Sequence, residues 1–561
     1  MKDEIRQNDS EQQREEREQL QALVEAQRNL IASLEGKNAA LESALIRHAD
    51  ELALLKRKLF GPRSERGGTQ EHQLLLRDVL KDEQLIQKHL DDLRRQSAEE
   101  GLSDSNGEKP AADEKKRKSP PKGRRDLSTS TLDKIVVEIP DSELAAKGEF
   151  IGFEDSYQLG RRNSAFYVIV KRLAKYKVAQ ESSATVLSAV SPKAVVSRGM
   201  LHTSLLAWLA VEKFSLGVPH YRLEKHLESE GVALDRSVMS RNMEEVGNAL
   251  GATIVRSMLE HARTCNVLST DATGAAIQPG PLDGGAKRPC KKGHFFTIVA
   301  DRDHVLFEFA SEHTSNVVAS LFKGFCGFLQ SDASSVYDIL DRGPPELDEP
   351  GPTLVGCWAH CRRYFFEAAI CKYPVGLEGL TRIRAIYAAD EPLAKLPPSE
   401  RKPRRAKLVA PLIDDFFAWV DQKARTEHGR SLATKALGYA TNQKAELRRV
   451  LDNGRLPLDN TRSERALRTI VTGRKNWLFY GSDIHAQAAA AIFSVIASCR
   501  LHRIDPVAYL DEVLRVLPYW PRERYIELSP LRWTTTRARL DSAELDKPLG
   551  KITVPEPPSA G

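Results

Sequence analysis

Hydrophobic residues recur every seven positions along the first sixty residues of the chain. The first series is Val24, Ile31, Asn38, Leu45, Leu52 and Leu59, and the second is Leu20, Gln27, Leu34, Leu41, His48 and Leu55. Two interleaved series with this period are typical of a coiled coil, and an asparagine at one core position tends to fix a parallel, two-stranded register. The pattern predicts a coiled coil over residues 1–60 that pairs copies of the chain into a homo-oligomer. A long helix packed on its own domain is the alternative.

Polar residues dominate the next seventy positions. Gly61 and Pro62 are expected to end the coiled coil. The pattern after them predicts a helical extension over residues 61–100. Residues 101–131 are rich in Ser, Pro and Lys, which indicates a disordered basic linker.

Hydrophobic and polar residues then alternate, before a helical period returns. The stretches DKIVVEIP and AFYVIVKRLAKYKVA predict a small β-rich module over residues 132–195. Residues 196–255 contain three amphipathic stretches separated by turns at Gly217 and Gly231. Asp235 is placed to cap the third helix, which carries Arg236 and Arg241. This order is typical of a helix-turn-helix unit that binds DNA, and plain helix packing is the alternative.

Short apolar runs in the middle of the chain predict an α/β domain. The order is a strand in CNVLSTDAT, strands in HFFTIVAD and HVLFEFA, a helix in SNVVASLFKGFC, a strand in GFLQSDASSVYD, and TLVGCWAHCRRYFFEAA as a strand entering a helix. We expect a ribonuclease-H-like α/β catalytic domain over residues 256–500, in which the first and fourth strands are neighbours. Asp271 and Asp332 would then face one another although they are far apart in sequence.

Carboxylates at the ends of adjacent strands suit Mg²⁺, which takes oxygen ligands and keeps several waters. A third acid from a later helix would complete a two-metal site for phosphodiester chemistry, and Glu464 is the candidate. The alternative for Glu464 is local. Thr461 and Glu464 fit a helix capping box, and Glu464 four residues before Arg468 is a favourable helical ion pair.

Composition changes this picture little. The chain has 561 residues and a formal net charge of +6, which permits a polyanionic partner without establishing one. The N-terminus is too polar for a signal peptide, and no apolar run is expected to approach the roughly 20 residues that cross a bilayer, so no membrane association and a cytoplasmic, bacterial-type location are expected. Seven cysteines without regular spacing indicate free thiols.

Five segments resemble one family. They are LFGPRSER, LSTDAT, LQSDASSVYD, GCWAHCRRYFFEA and LPLDNTRSERALRTIVTGRKNWLFYGSD, and together they resemble the DDE-type transposases of the insertion-sequence-66 family. The resemblance implies a DNA transposase that hydrolyses the 3′ ends of an insertion sequence and joins them to target DNA. Its three acids would be Asp271, Asp332 and Glu464, binding two Mg²⁺ ions for which Mn²⁺ substitutes. It also implies a helical insertion at about 366–452 and a C-terminal helix and tail over 501–561.

Double-stranded DNA is the expected partner, both as the terminal inverted repeats of the element and as target DNA. Accessory proteins encoded by the same element are further candidates. Expected DNA contacts come from two helical regions and the basic motif near the C-terminus, at Arg236, Arg241, His360, Arg363, Asn460, Arg462, Arg465, Arg468, Arg474 and Lys475.

The chain also departs from the family pattern. Family members commonly carry a zinc-binding module with paired cysteines ahead of the catalytic domain, whereas residues 132–195 contain no cysteine, so no zinc is expected. Cys357 and Cys361 are interpreted as packed thiols, and Trp477 as a core side chain because apolar residues follow it. The family often has Glu-Thr-Pro after the first acid, where this chain has Ala-Thr-Gly. These departures motivate an alternative function, a catalytically inactive, transposase-derived DNA-binding regulator.

Overall fold

A computed structural model of the chain describes residues 25, 27–29, 31–37, 48, 127–162, 165–179, 184–197, 199–279, 289–342 and 351–557. Most of the coiled-coil prediction, the helical extension at 61–100 and the linker up to residue 126 lie outside the described residues. Residues 31–37 are helical, and the seam residues Ile31 and Leu34 are 55% and 51% exposed.

The chain divides into two compact units. One comprises Ser119–Ala359 and Glu446–Gly561 and contains the two sheets described below. The other comprises Met1–Lys118 and His360–Ala445. The acids proposed from the sequence all belong to the first unit.

A four-stranded sheet occupies the region where alternation predicts strands. Its strands are β1 (Asp133–Ile139), β2 (Gly148–Arg162), β3 (Ala165–Ala179) and β4 (Ala184–Ser188), with helix α1 (Ser142–Lys147) between β1 and β2. Strands β2 and β3 form an antiparallel hairpin, while β1 lies parallel to β3 on its other side. Val168 and Val170 of β3 are buried in the same core as Leu205 and Leu206 of the following helix.

Three helices follow at the positions that the amphipathic pattern predicts. They are α2 (Thr203–Phe214), α3 (His220–Ser229) and α4 (Arg236–Leu250), and a π-helical turn at Gly251–Val255 joins α4 to α5 (Arg256–Ala262). Gly217 and Gly231 have φ angles of +76° and +78°, which glycine adopts without strain, and so they end α2 and α3. Asp235 Oδ1 accepts a hydrogen bond from Ser237 N at 2.7 Å and caps α4, as the sequence predicts.

The second sheet has five strands and a mixed order. Its elements are β5 (Val267–Ile277), β6 (Lys291–Ala300), β7 (His304–Ala310), α6 (Ser315–Leu321), β8 (Phe328–Gln330), α7 (Asp338–Arg342) and β9 (Thr353–Val355). The strand order is β7-β6-β5-β8-β9. Strand β6 is antiparallel to both of its neighbours, β5 and β7, whereas β8 is parallel to β5 and β9 is parallel to β8. The first and fourth strands of this domain are therefore adjacent in a mixed α/β fold.

Six helices follow β9, and most of their residues belong to the unit without the sheets. They are α8 (Trp358–Ile370), α9 (Pro374–Asp390), α10 (Pro398–Leu408), α11 (Ala410–Ala424), α12 (Leu432–Asn442) and α13 (Lys444–Arg448). Aromatic side chains fill the core of this unit, where Phe365 of α8 contacts Phe416 and Trp419 of α11 with ring centroids 5.8 Å apart in both pairs. Burial of these rings holds the inserted helices together.

The C-terminal helices complete the unit that contains the sheets. They are α14 (Thr461–Trp477), α15 (Asp483–Leu501), α16 (Pro506–Val516), α17 (Pro530–Arg537) and α18 (Ser542–Asp546). Helix α15 is long and apolar enough to cross a membrane, so the expectation that the apolar runs are all too short is wrong for this stretch. In the protein, 67% of its most apolar window is buried, and Ser494 and Ser498 accept hydrogen bonds from the backbone of β7. Helix α15 is therefore a core helix.

Candidate active site

The pairing of β5 with β8 decides where the first two acids lie. Residues 267, 268 and 269 pair in parallel with residues 328, 329 and 330, a constant offset of 61 positions. The same offset relates Asp271 to Asp332, two residues beyond the last pair. Because neighbouring strands lie about 4.8 Å apart, the two side chains start from neighbouring positions at one edge of the parallel part of the sheet.

Strand β5 is longer than the sequence predicts. The strand was expected to end at Asp271, but it continues to Ile277 by pairing with β6, and Asp271 itself lies opposite Thr297. Only its parallel pairing with β8 stops before the acid. Asp271 therefore lies within a paired strand, while Asp332 lies in the loop after β8 next to Ala333, whose φ is +61°.

The charges of both aspartates affect the pKa of one buried tyrosine. Tyr337 is 2% exposed, and its hydroxyl lies 3.5 Å from Thr270 Oγ1. Burial raises the pKa of Tyr337, and the negative charges of Asp332 and Asp271 raise it further, while the contact with Thr270 lowers it. Both carboxylates thus act electrostatically on the same buried hydroxyl. Tyr337 could not be identified from the sequence, because nothing in the pattern separates it from other buried aromatic residues.

Backbone N–H groups orient both carboxylates. Ala272 N donates to Asp271 Oδ1 at 2.8 Å, and Ser334 N donates to Asp332 Oδ1 at 3.1 Å. Each acid is therefore fixed by the chain that directly follows it. The replacement of the usual Glu-Thr-Pro by Ala-Thr-Gly leaves the bond to Asp271 in place.

The segment before α14 is fastened beside β8. Trp358 N donates to Leu458 O at 3.1 Å, and the buried Gln330 Nε2 donates to Gly356 O at 3.2 Å and to Pro457 O at 3.1 Å. The chain leaves the sheet at the start of α8, and when it returns at Pro457 and Leu458 it bonds to residues beside that same position. A glutamine in the otherwise apolar run GFLQSD was the available sequence signal for this bridge, because a buried amide needs partners.

Helix α14 runs along β5. Near its beginning, Asn460 Nδ2 donates to Thr270 O at 2.5 Å. Near its end, Arg474 Nη1 donates to Gly274 O and lies 3.4 Å from Thr273 Oγ1. Glu464 is partly buried in the first turn of this helix. The two anchors therefore set the helix that carries Glu464 against the strand that carries Asp271.

The predicted capping box at Glu464 is wrong. The N-cap of α14 is Asn460, whose side chain makes no capping hydrogen bond, and Thr461 is already helical. Thr461 N donates instead to Asp459 Oδ1 at 3.1 Å. The side chain of Asn460 bonds to the strand and not to the helix. A capping box therefore does not explain the acid at position 464.

Two of the predicted DNA contacts are turned inward. Asn460 is fully buried, so the prediction that it contacts DNA is wrong, and its role is to bind β5. Arg474 is partly buried, and its guanidinium bonds to the backbone of β5. The basic segment around α14 thus contains residues that bind β5 as well as residues that are exposed.

The other basic candidates fall into two groups. Those in the sheet-containing unit are exposed on α14 and α4, namely Arg462, Arg465, Arg468, Lys475, Arg236 and Arg241. His360 and Arg363 lie on α8 in the other unit, where His360 is partly buried and Arg363 is exposed. Contact with DNA stays a prediction for all eight.

The donor chemistry of the three acids fits Mg²⁺, because carboxylate oxygens are the ligands that this ion takes. Their ligand atoms do not close into a tight trio. Among the described residues, one group of His, Cys, Asp or Glu has all its ligand atoms within 4.8 Å, and it consists of His261, Cys265 and Asp303. The ligand atoms of Asp271, Asp332 and Glu464 are therefore not all within 4.8 Å of one another.

The thiols of Cys357 and Cys361 and the indole of Trp477 are both interpreted from the sequence as packed side chains. Cys357 and Cys361 are fully buried, and Cys357 Sγ accepts a hydrogen bond from Asn460 N at 3.2 Å, in agreement with packed thiols. Trp477 packs with its ring centroid 6.3 Å from that of Phe214. The reason given for its burial is wrong, because the apolar residues that follow it, Leu478 and Phe479, are 66% and 42% exposed.

Comparison with known proteins gives relatives that match over much of the chain. The chain is 25% identical over 516 residues to Uncharacterized protein y4qI of Sinorhizobium fredii (strain NBRC 101917 / NGR234), which covers 89% of this chain and 91% of the relative. It is 28% identical to Uncharacterized protein y4hP of the same organism, over 62% of this chain and 65% of that protein. No solved structure matches the chain with comparable significance.

Family comparisons cover most of the chain. A region described as Transposase C of IS166 homeodomain matches residues 49–137, and the IS66 C-terminal element matches residues 494–531. The pattern of the Transposase IS66 family matches residues 198–488, which is more than half of the chain and includes α2 to α4, the five-stranded sheet and the helix with Glu464. The chain therefore belongs to the IS66 family of transposases.

Proposed function

We propose that the chain is an active DDE-type transposase that hydrolyses the 3′ ends of an insertion sequence and transfers them to target DNA. The observation that carries the proposal is the constant offset of 61 positions between β5 and β8, which makes Asp271 and Asp332 neighbours. Glu464 is the third acid, on a helix that Asn460 and Arg474 anchor to β5.

The strand order supports a ribonuclease-H-like fold for the catalytic domain. Three antiparallel strands are followed by two that run parallel to the first, in the order β7-β6-β5-β8-β9. In such a sheet the first and fourth strands carry acids to one edge. The same arrangement is expected from the sequence pattern of residues 256–500.

Two Mg²⁺ ions, or Mn²⁺ in their place, would be held by Asp271, Asp332 and Glu464, and when bound they activate the attacking oxygen and stabilise the leaving one. The protein orients the acids through the N–H groups of Ala272 and Ser334. Exposed arginine and lysine side chains on α14 neutralise backbone phosphates and position the DNA. Phosphoryl transfer of this kind needs positioning and charge neutralisation more than a covalent protein intermediate.

The remaining partners follow from the same reading. The chain would act in the bacterial cytoplasm on the terminal inverted repeats of its element and on target DNA, with α4 contributing Arg236 and Arg241. The N-terminal heptads would join copies of the chain into a homo-oligomer. Accessory proteins of the element complete the proposed set of partners.

The test is a cleavage assay with the full chain. A labelled duplex carrying the DNA that flanks the reading frame is incubated with Mg²⁺ or Mn²⁺ and the parent, Asp332→Asn or Asp338→Asn. Asp338 is an exposed acid six residues further along, in α7, and is the matched control. We expect metal-dependent 3′ nicking and strand joining by the parent and by the control, and their loss in Asp332→Asn.

The competing function is a DNA-binding regulator without catalysis. The altered residues after Asp271 and the absence of cysteines from residues 132–195 favour it. Tight binding of the duplex by the parent and by Asp332→Asn, without cleavage by either one even when accessory proteins are added, would establish the regulator and refute the enzyme.

A further inference from the structure

Three side chains meet at the start of β5, away from the proposed catalytic acids. His261 lies near the end of α5, Cys265 lies two residues before β5, and Asp303 lies in the turn between β6 and β7. One ligand atom of each lies within 4.8 Å of the other two. Cys265 Sγ is 3.8 Å from Asp303 Oδ2, a long contact for a thiol hydrogen bond. The group thus combines a thiol, an imidazole and a carboxylate at one point.

Two further histidines contact members of this trio. His304 is fully buried, and its Nε2 lies 3.0 Å from His261 Nδ1. Its other ring nitrogen, Nδ1, is buried with no hydrogen-bond partner among the described residues. His502 Nε2 lies 2.7 Å from Asp303 O. A metal-binding histidine usually gives its second ring N–H to such a buried partner, which fixes the ring and its tautomer.

Negative charge accumulates around the thiol. Burial, together with the carboxylates of Asp301 and Asp303, raises the pKa of the Cys265 thiol to about 12. The positive charge of Arg455, whose Nη1 lies 3.9 Å from Asp301 Oδ2, lowers the pKa of the thiol and opposes this effect in part. Two carboxylates beside a partly buried thiol make a site where a divalent cation would be stabilised.

We propose that His261, Cys265 and Asp303 bind one Zn²⁺ ion, with the fourth position taken by water. Sulfur, nitrogen and oxygen ligands in a set of three are typical of zinc, whereas Mg²⁺ takes oxygen ligands alone. As the sulfur–zinc bond forms, the thiol proton passes to solvent, and no other group changes its oxidation state. The bound ion would fasten the end of α5 to the turn between β6 and β7.

The inference is independent of transposition and of the three acids. It departs from the expectation that no zinc is needed. That expectation is based on the absence of cysteine from residues 132–195, whereas the ligands proposed here come from another part of the chain.

Cobalt provides the first test, because a thiolate bound to Co²⁺ gives a charge-transfer absorption that a carboxylate or imidazole does not give. The purified full chain is stripped of metal and titrated with Co²⁺ and then with Zn²⁺. The variants are Cys265→Ser, Asp303→Asn and, as the matched control, Cys290→Ser, which alters an exposed cysteine. We expect about one ion per chain in the parent and the control. The thiolate band should disappear in Cys265→Ser.

A second measurement needs no variant at the ligands. Alkylation of Cys265 and Cys290 in the native parent is followed by mass spectrometry with and without Zn²⁺. Zinc should slow the modification of Cys265 and leave that of Cys290 unchanged. Equal labelling of Cys265 under both conditions, or a cobalt band that persists in Cys265→Ser, would show that the trio is only a hydrogen-bonded cluster and would overturn the proposal.

The supporting histidine gives a graded test. His304→Leu keeps the three ligands and removes the partner of His261, so zinc affinity should fall by about 10- to 100-fold while one ion per chain still binds at saturation. An affinity equal to that of the parent would contradict the assignment of His304 as a positioning residue.

Discussion

Asn460 is a buried side chain that joins the start of α14, the helix that carries Glu464, to β5. Its amide donates to the carbonyl of Thr270, one residue before Asp271, and its own N–H donates to Cys357 Sγ. The residue is fully buried, so both bonds are made away from water. We infer that it positions α14, and with it Glu464, without touching DNA.

We predict that Asn460→Ala lowers both stability and cleavage. The variant leaves the Thr270 carbonyl without its buried donor, which costs about 1–3 kcal/mol, and it releases the start of α14 from β5. Urea unfolding and the duplex-nicking assay measure the two effects. Asn442→Ala, at an exposed position at the end of α12, is the control and should behave as the parent does. Unchanged nicking by Asn460→Ala would contradict the positioning role.

Glu308 on β7 makes stability depend on pH. Burial raises the pKa of its carboxyl group from 4.5 to about 7, while the charge of Arg263 opposes the rise. The folded protein therefore binds this proton more tightly than the unfolded chain does. Stability should fall as the pH rises from about 4.5 through 7, because above that range a charge is buried.

We predict that Glu308→Gln stabilises the protein above pH 7 by about 1–3 kcal/mol, since each unit of pKa shift corresponds to about 1.4 kcal/mol. The gain should be much smaller at pH 5. Thermal or urea unfolding of parent and variant at pH 5 and pH 8 measures the difference. Glu312→Gln changes an exposed acid two positions past the end of β7 and serves as the control. A gain of equal size at both pH values would mean that titration of this carboxyl group is not responsible.

At the scale of elements, one buried ion cluster joins α9 to α10. Asp390 at the end of α9 is 4% exposed and bonds to Arg405, which is fully buried, at 2.5 Å (Nε to Oδ1) and 2.8 Å (Nη2 to Oδ2). Arg401 Nη2 donates to the same carboxylate at 2.8 Å. Removing the acid would leave a guanidinium in the core without its counter-charge.

We predict that Asp390→Asn destabilises the helical insertion by about 3–5 kcal/mol, because one partner of a buried ion pair is lost. Hydrogen exchange across residues 374–408 should increase far more than exchange in the five-stranded sheet. Asp415→Asn is the matched control. It also breaks a pair, with Arg382, but its side chain is 62% exposed, so the loss should stay below about 1 kcal/mol. Equal effects of the two variants would refute the importance of burial.

Elements with a strong period are the part of the fold that the sequence predicts well. The three helices from α2 to α4 and the apolar strands β5 to β7 follow directly from their patterns. Weaker signals fail. Strand β8 has only three residues, and the extension of β5 to Ile277 depends on its pairing with β6, which lies outside any local pattern. In the site, residue types indicated the acids, while the inward direction of Asn460 needed the tertiary structure.

At the scale of the whole molecule, the described part of the N-terminal helix bears on self-association. Ile31 and Leu34 occupy both heptad series, and each is more than half exposed in the single chain. Apolar residues in this pattern would be covered by a second copy of the helix.

We predict that Leu34→Lys weakens self-association of the full chain. Each buried leucine contributes about 1.5–3 kcal/mol, so the dissociation constant should rise by about tenfold or more. Sedimentation velocity over a range of concentrations measures this change. Ser33→Lys adds the same charge beside the seam and should leave association almost unchanged. Identical sedimentation of Leu34→Lys and the parent would argue against pairing through the heptads.

The return of the chain beside its exit point has a consequence for how such proteins can vary. Because Trp358 is bonded to Leu458, and Gln330 to Pro457, the segment that enters α14 is held by the sheet. Closing a loop between fixed ends costs only about 0.6 kcal/mol more for each doubling of its length. The number of residues between the second and third acids is thus free to drift, and whole helices can be gained or lost there while the acids keep their places.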